Sequence, residues 1–229
     1  MDDQFQSGET IFRRQWRGFV CDENKLAQSK EGCLLRLEES LGKGLLGLCA
    51  YRWQGNIFIY CEGEGKPFDP HELLEPLLPA LSIWPGEAVT VCSAPQFRRW
   101  IEMIDVFHFN EPASKEHWRR KTLVEHRVGK VGVLKPEAVS SYIYYHYGLQ
   151  EERTFAGDKY EVIALNENLL FGYFEQPEVI ETPLYSPRLK TKSMPENWSD
   201  ARIPDHFIPW PDILNCLRPI EMWISVWGE

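Results

Sequence analysis

NIFIYCE at residues 56–62 and NLLFGYFE at residues 168–175 are nearly one phrase written twice: an asparagine, a run of apolar and aromatic side chains, a closing glutamate. Each is a strand by its β-branched and aromatic content. Each follows a second strand-like run, LLGLCAYRW (45–53) and KYEVIAL (159–165), across a connection short enough for a tight hairpin, Gln54-Gly55 and Asn166-Glu167. Further matches flank them in the same order. RGFVCDEN (17–24) stands against GKVGVLKPE (129–137), and WIEMIDVFHF (100–109) against IEMWISVWGE (220–229). The offsets are 112–113, 113 and 119 residues. Shared order and near-constant spacing point to a tandem duplication.

Within each half the order is strand, helix, hairpin, helix, strand. CLLRLEESLGKG (33–44) puts Leu34, Leu37 and Leu41 on one helical face and ends in glycine. DPHELLEPLLPALSIW (69–84) reads as a second helix, capped by Asp69 with Pro70 in its first turn. Pro136 and Glu137 suit the first turn of the matching helix in the second half. A last strand closes each half. The fold expected is α+β: tandem ferredoxin-like repeats (β-α-β-β-α-β twice) pairing as an α+β barrel within one chain. The repeats are placed at 1–115 and 116–229, with a Pro-rich insertion at about 177–211 that reads equally as a binding loop or a surface excursion.

Composition excludes several classes. The chain has 229 residues and a net charge of −9, which repels phosphate backbones and makes nucleic acid a poor partner. No apolar run reaches the length of a membrane helix. The six cysteines form no Cys-x-x-Cys pair, and the polar start MDDQFQSGET is unlike a signal peptide. Reduced cysteines and a cytoplasmic protein are expected. GKGLLG (42–47) matches G-x-G-x-x-G, but follows a helix and precedes a strand, the reverse of a dinucleotide site. His108 and His117, with Asp105 and Glu111 nearby, lack metal-ligand spacing, so no metal and no cofactor are expected.

The chemistry concentrates in YIYYHY, residues 142–147. Tyr142 and His146 are four apart and share a face in a helix or a strand. A histidine titrating near ~6.5 can carry protons at neutrality, with a phenol beside it to orient a hydroxyl. The plain alternative is an aromatic element facing a core, its histidine satisfied by a backbone carbonyl. The residues alone leave both open.

The second half resembles the L-rhamnose mutarotase family. The matching stretches are VGVLKPE (131–137), YIYYH (142–146), KYEVIALNENLLFGYFE (159–175) and, faintly, the final strand. The resemblance implies paired open sheets and interconversion of the anomers of a free monosaccharide by general acid–base catalysis. It implies His146 as proton donor, Tyr142 as its site partner, and Tyr160 at the sugar. Trp210, in IPWP, stands in for a family tryptophan. The same shift places Ser29 and Cys33 where Tyr142 and His146 stand, so the first half acts as a built-in partner; a further homodimer is left open. Two other functions stand beside this one: a non-catalytic sugar-binding or regulatory module, and a small oxygenase on the same paired-sheet fold acting on an aromatic substrate.

Overall fold

The computed structural model describes residues 11–84, 98–152, 155–190, 194–195 and 198–228. Strand β1 (Ile11–Phe19) leads into helix α1 (Glu23–Leu41). Asp22 starts the helix: its carboxylate accepts from the backbone N–H of Asn24 and Lys25 at 3.1 and 3.0 Å, donors that a first turn otherwise leaves unmet. Leu26, Ser29, Cys33 and Leu37 recur at helical spacing and are buried. Gly42 caps the helix before strand β2 (Leu45–Trp53), so the glycine-rich stretch 42–47 joins a helix end to a strand start. Strand β3 (Asn56–Glu64) follows through Gln54 and Gly55, both at positive φ (45° and 71°), the turn whose twist suits a two-residue hairpin.

The long helix expected over 69–84 does not form. Asp69 caps and Pro70 opens α2 (Pro70–Leu73), but after one turn the chain tightens into a 3-10 segment, Glu75–Ala80. Pro76 and Pro79 supply no N–H to an α-helical ladder, which is the physical reason.

The chain continues through β4 (Trp100–Glu102), β5 (Ile104–His108), α3 (Lys115–Trp118) and β6 (His126–Val133). A 3-10 turn, Pro136–Ala138, opens helix α4 (Val139–Glu152). Then come β7 (Gly157–Asp158), β8 (Val162–Asn166), β9 (Leu169–Gln176), β10 (Ile180–Glu181), β11 (Arg218–Pro219) and β12 (Glu221–Trp227). The β8–β9 turn is Glu167 and Asn168, one residue later than expected, because Asn166 pairs with Leu169. Two 3-10 turns, Trp198–Ala201 and Ile203–His206, interrupt the Pro-rich insertion, and β10 within it pairs with β7.

The fold is α+β with antiparallel sheets. One sheet has the order β12-β2-β3-β1-β4 and the other β11-β6-β9-β8-β5. Four strands of each, β2-β3-β1-β4 and β8-β9-β6-β11, follow the ferredoxin-like order. A short last strand lies beside the first strand of each half, β4 on β1 and β11 on β6, but the rest of each closing stretch goes elsewhere. WIEMIDVFHF breaks at Met103: β4 stays on the β1 edge, while β5 joins β8 in the other sheet. IEMWISVWGE likewise places β12 on β2. The cause is the edge left by the second strand of a ferredoxin-like sheet, a row of unpaired N–H and C=O groups that an added strand satisfies. The chain accordingly divides into two units. The first runs to Met103 and takes in Ser114–Trp118 and the stretch from Glu221; the second comprises Ile104–Ala113 and Arg119–Ile220.

In the first unit α1 packs Leu26, Cys33 and Leu37 against Leu48, Ala50, Ile57, Ile59 and Leu77. In the second, Tyr142 joins Val106, Phe107, Leu134, Ile163, Leu165, Leu170 and Phe207. The second sheet also holds a buried ion pair. Glu175 receives Arg120 Nη2 at 2.7 Å and the Tyr173 hydroxyl at 2.6 Å. In the first, Tyr60 donates to Glu62 at 2.5 Å. Cys21, Cys33, Cys49, Cys61 and Cys216 are free thiols; Cys92 lies outside the described residues. Among the described residues no helix is long and apolar enough to cross a membrane.

The placement of β12 is testable at Gly47, which pairs with Trp227. A Cβ at Gly47 would lie 2.2 Å from the Trp227 ring, whose Nε1 donates to Cys49 Sγ at 3.2 Å. Gly47→Ala is expected to destabilise the fold by about 1–3 kcal/mol in urea unfolding. Unchanged stability contradicts the placement of this strand.

Candidate functional site

Helix α4 resolves YIYYHY into two faces. Tyr142 and His146 point inward, 1% and 8% exposed, whereas Tyr144 and Tyr147 are exposed. The inward pair stacks, with ring centroids 3.9 Å apart and planes 26° from parallel. His146 Nδ1 lies 3.0 Å from the Tyr142 carbonyl. A carbonyl only accepts, so Nδ1 carries the proton and Nε2 is left as the lone-pair nitrogen.

Phe107, from β5, meets the imidazole edge-on at 5.7 Å, and Phe155 stacks on Phe107. The insertion supplies the rest. Trp198 stands perpendicular to His146 at 5.6 Å, and Phe207 perpendicular to Tyr142 at 5.6 Å. His206 lies 6.3 Å from the Tyr142 ring. Backbone bonds hold this segment in place: Lys135 N–H to the His206 carbonyl and Ile208 N–H to the Val133 carbonyl, both 2.8 Å. The Pro-rich stretch therefore packs along α4 and carries ring residues to the Tyr–His pair.

Burial sets the protonation states. It drives the His146 pKa down to about 4, against the weaker raising effect of the Tyr142 carbonyl. It pushes the Tyr142 hydroxyl well above its ordinary value, and the charge of Glu161 adds to that rise. Glu161 is two residues before Ile163, in step with Ile163 and Leu165 of the Tyr142 cluster. Its own carboxyl is raised to about 7, by burial first and by the charge of Asp158 next, with Lys130 opposing. Among the described residues neither His146 Nε2 nor the Tyr142 hydroxyl has a hydrogen-bond partner.

Tyr142 and His146 are thus brought together, and the other two expected site residues have the following partners. Tyr160 is buried beneath Arg120, 4.2 Å above its ring, and its hydroxyl reaches the Arg119 carbonyl at 3.4 Å. Trp210 donates to the Cys216 carbonyl at 3.0 Å and carries Arg218 over its ring at 4.9 Å. Trp198, His206 and Phe107 were missed. The first two lie in a stretch with no helical or strand periodicity. Their one signal was aromatic and imidazole side chains inside a proline-rich run. His108 is held between Asp105 at 2.9 Å and Glu111 at 3.1 Å. Among the described residues no group of three or more His, Cys, Asp or Glu is placed to hold a metal.

No family model and no curated protein matches the chain. Solved structures resemble it at low identity. One is a "putative monooxygenase" from Lactobacillus acidophilus NCFM, 8% identical, TM-score 0.41, covering 96% of this chain and 97% of that one. A second protein so described, from Fusobacterium nucleatum subsp. nucleatum, is 12% identical, TM-score 0.39, covering 94% of each chain. An anthrone oxidase-like protein is 10% identical, TM-score 0.37, covering 98% and 95%. These neighbours are not rhamnose mutarotases, and the expected membership, the anomer-exchange activity and the sugar-binding alternative are corrected accordingly. The site gives a physical reason in the same direction. A histidine that holds its proton only below about pH 4 is not the neutral-pH proton donor that anomer exchange would ask of it.

The two shifted groups give opposing pH slopes. Unfolding returns His146 from about 4 to 6.5, so its contribution to stability is present above 6.5 and is lost as pH falls to about 4. Glu161 is raised from 4.5 to about 7, so its contribution is present below 4.5 and is lost as pH rises to about 7. Between these values the two offset. In Glu161→Gln the opposing slope of the carboxyl is gone and that of the histidine stays. Its unfolding free energy is expected to climb between pH 4.5 and 6.5 more steeply than that of the wild type, by up to about 1.4 kcal/mol per pH unit in urea titrations. Equal slopes contradict the burial of these groups.

Proposed function

We propose that the second unit binds a hydroxylated planar aromatic molecule between α4 and the insertion, and that the protein is an oxygenase acting on it with dioxygen as oxidant. One observation carries the reading: the His146 and Tyr142 rings stack inside a set of aromatic rings, with His146 Nε2 and the Tyr142 hydroxyl without partners among the described residues. A ligand hydroxyl can meet both groups. Such a hydroxyl donates to Nε2 and accepts from Tyr142. Ring faces and edges from Trp198, Phe107 and Phe207 suit a flat apolar body. Neutral at physiological pH, His146 orients the hydroxyl instead of ionising it. Removing the substrate's proton makes the aromatic system electron-rich enough to give electrons to dioxygen. With an anthrone, the methylene carbon becomes a carbonyl; one oxygen atom stays on carbon and the other leaves as water.

The remaining parts of the fold reading belong to the same proposal. A duplication with halves at 1–115 and 116–229, their sheets pairing as a barrel, is supported by two recurrences. The strand order repeats, and so does the Tyr-x-Glu pair, Tyr60–Glu62 and Tyr173–Glu175, 113 residues apart. Opposite the glutamates in the ladders stand Arg13 and Arg127. The first half, with Ser29 and Cys33 on its helix, is the partner without the acid–base pair. We place the enzyme in the cytoplasm, acting on a small molecule and not on nucleic acid, from the charge of −9.

Oxygen-electrode measurements with anthrone and naphthol test the activity. The wild type is expected to consume oxygen, and His146→Ala to lose about tenfold or more in kcat/KM. No uptake by the wild type, or an undiminished variant, overturns the reading.

A further inference from the structure

Resting on that reading, we infer that His206 is a second ligand-binding residue of the site, its Nε2 accepting a second hydroxyl, so that the ligands that fit best are planar aromatics bearing two hydroxyls and not one. The site described so far meets one hydroxyl with the Tyr142–His146 pair and leaves this imidazole unused. Ring contacts place it in the same set. By ring centroids Tyr142 and His146 lie 3.9 Å apart, His146 and Trp198 5.6 Å, Trp198 and Tyr145 6.4 Å, Tyr145 and His206 5.9 Å, and His206 and Tyr142 6.3 Å, a closed circuit of five rings. Its two imidazoles both adjoin Tyr142. Tyr145 and Trp198 are half-buried, whereas His206 is buried like the Tyr–His pair.

The local structure of the insertion fixes this ring. His206 Nδ1 lies 3.3 Å from the Arg202 carbonyl, four residues back. A carbonyl only accepts, so Nδ1 carries the proton and Nε2 of the neutral ring holds the lone pair, the same tautomer as His146. Among the described residues that Nε2 has no hydrogen-bond partner. Arg202 has φ 49° and ψ 42°, left-handed backbone that a residue with a side chain adopts only where its surroundings impose it. From there the 3-10 turn Ile203–His206 runs into Phe207. Pro204, Asp205 and Ile208 are exposed, so the turn sends inward chiefly His206 and Phe207. Lys135 clamps it by two bonds of 2.8 Å, its N–H to the His206 carbonyl and its Nζ to the Asp205 carbonyl. Packing between two tyrosine rings asks for none of this from an apolar side chain. An imidazole of fixed tautomer and orientation presents one acceptor in one direction, as a binding site requires.

The experiment compares 1-naphthol with a panel of dihydroxynaphthalene isomers under nitrogen at pH 8. Affinity is read by tryptophan fluorescence, and the histidine rings by nitrogen NMR, on the wild type and on His206→Asn. Asparagine keeps an N–H donor near the place of Nδ1 for the Arg202 carbonyl and removes the Nε2 acceptor. In the wild type at least one dihydroxy isomer is expected to bind about tenfold tighter than 1-naphthol. That isomer is expected to shift the Nε2 resonances of both His146 and His206, and 1-naphthol that of His146 alone. In His206→Asn the advantage is expected to vanish while 1-naphthol affinity stays within about twofold. A merely packed imidazole would instead weaken both ligands together. Equal affinities in the wild type, a His206 Nε2 resonance that no isomer moves, or a variant that keeps the advantage overturns the assignment. The resonance decides it on the wild type alone, should the variant fail to fold. A wild type that binds in this pattern but consumes no oxygen with anthrone removes the oxygenase reading and leaves the two-hydroxyl site. A wild type that binds none of these compounds overturns both.

Discussion

Within α4 the imidazole of His146 gives its Nδ1–H to the carbonyl of Tyr142, one turn back, while the two rings lie stacked. That contact decides which nitrogen is free, and it permits the ring to be buried at all, because a neutral imidazole with its N–H satisfied tolerates an apolar surrounding that an imidazolium does not. The aromatic neighbours from β5 and from the insertion close around a group already locked in tautomer and orientation. The same burial that makes the histidine a dependable acceptor removes it as a proton donor.

The scaffold was legible where its signals are local. The repeated Asn-to-Glu phrase marked β3 and β9, the Gln54-Gly55 turn marked a hairpin, and Asp22 and Asp69 stand at helix starts. The closing strands were legible as strands but not as to partner. Period-two patterning in IEMWISVWGE shows a strand, and nothing within those ten residues records that β2, more than 160 positions upstream, has an edge to be filled. The helix over 69–84 failed for a reason visible in its letters, the two internal prolines, which the apolar spacing outweighed in the reading.

The site was half legible for a related reason. Tyr142 and His146 share a face by spacing alone. Trp198 and His206 reach them through tertiary structure, from a stretch without periodicity. The most specific piece of the family resemblance was NLLFGYFE, which builds β9; these are sheet residues, and they carry a fold further than they carry a reaction. The two helices make the contrast concrete. Ser29 and Cys33 on α1 are buried at the same spacing as Tyr142 and His146 on α4, with the serine hydroxyl bonded to the Leu26 carbonyl and the thiol pushed up to about 11 by burial. One helix uses that inward face for packing alone; the other sets a stacked phenol and imidazole there.

The most direct test is the protonation of His146 itself, followed by nitrogen NMR of its ring in the folded protein across pH 3.5 to 8. The account predicts a ring that stays neutral as the Nδ1–H tautomer down to about pH 5 and titrates near 4. A midpoint near 6.5, or a proton on Nε2 with Nδ1 bare, would contradict it.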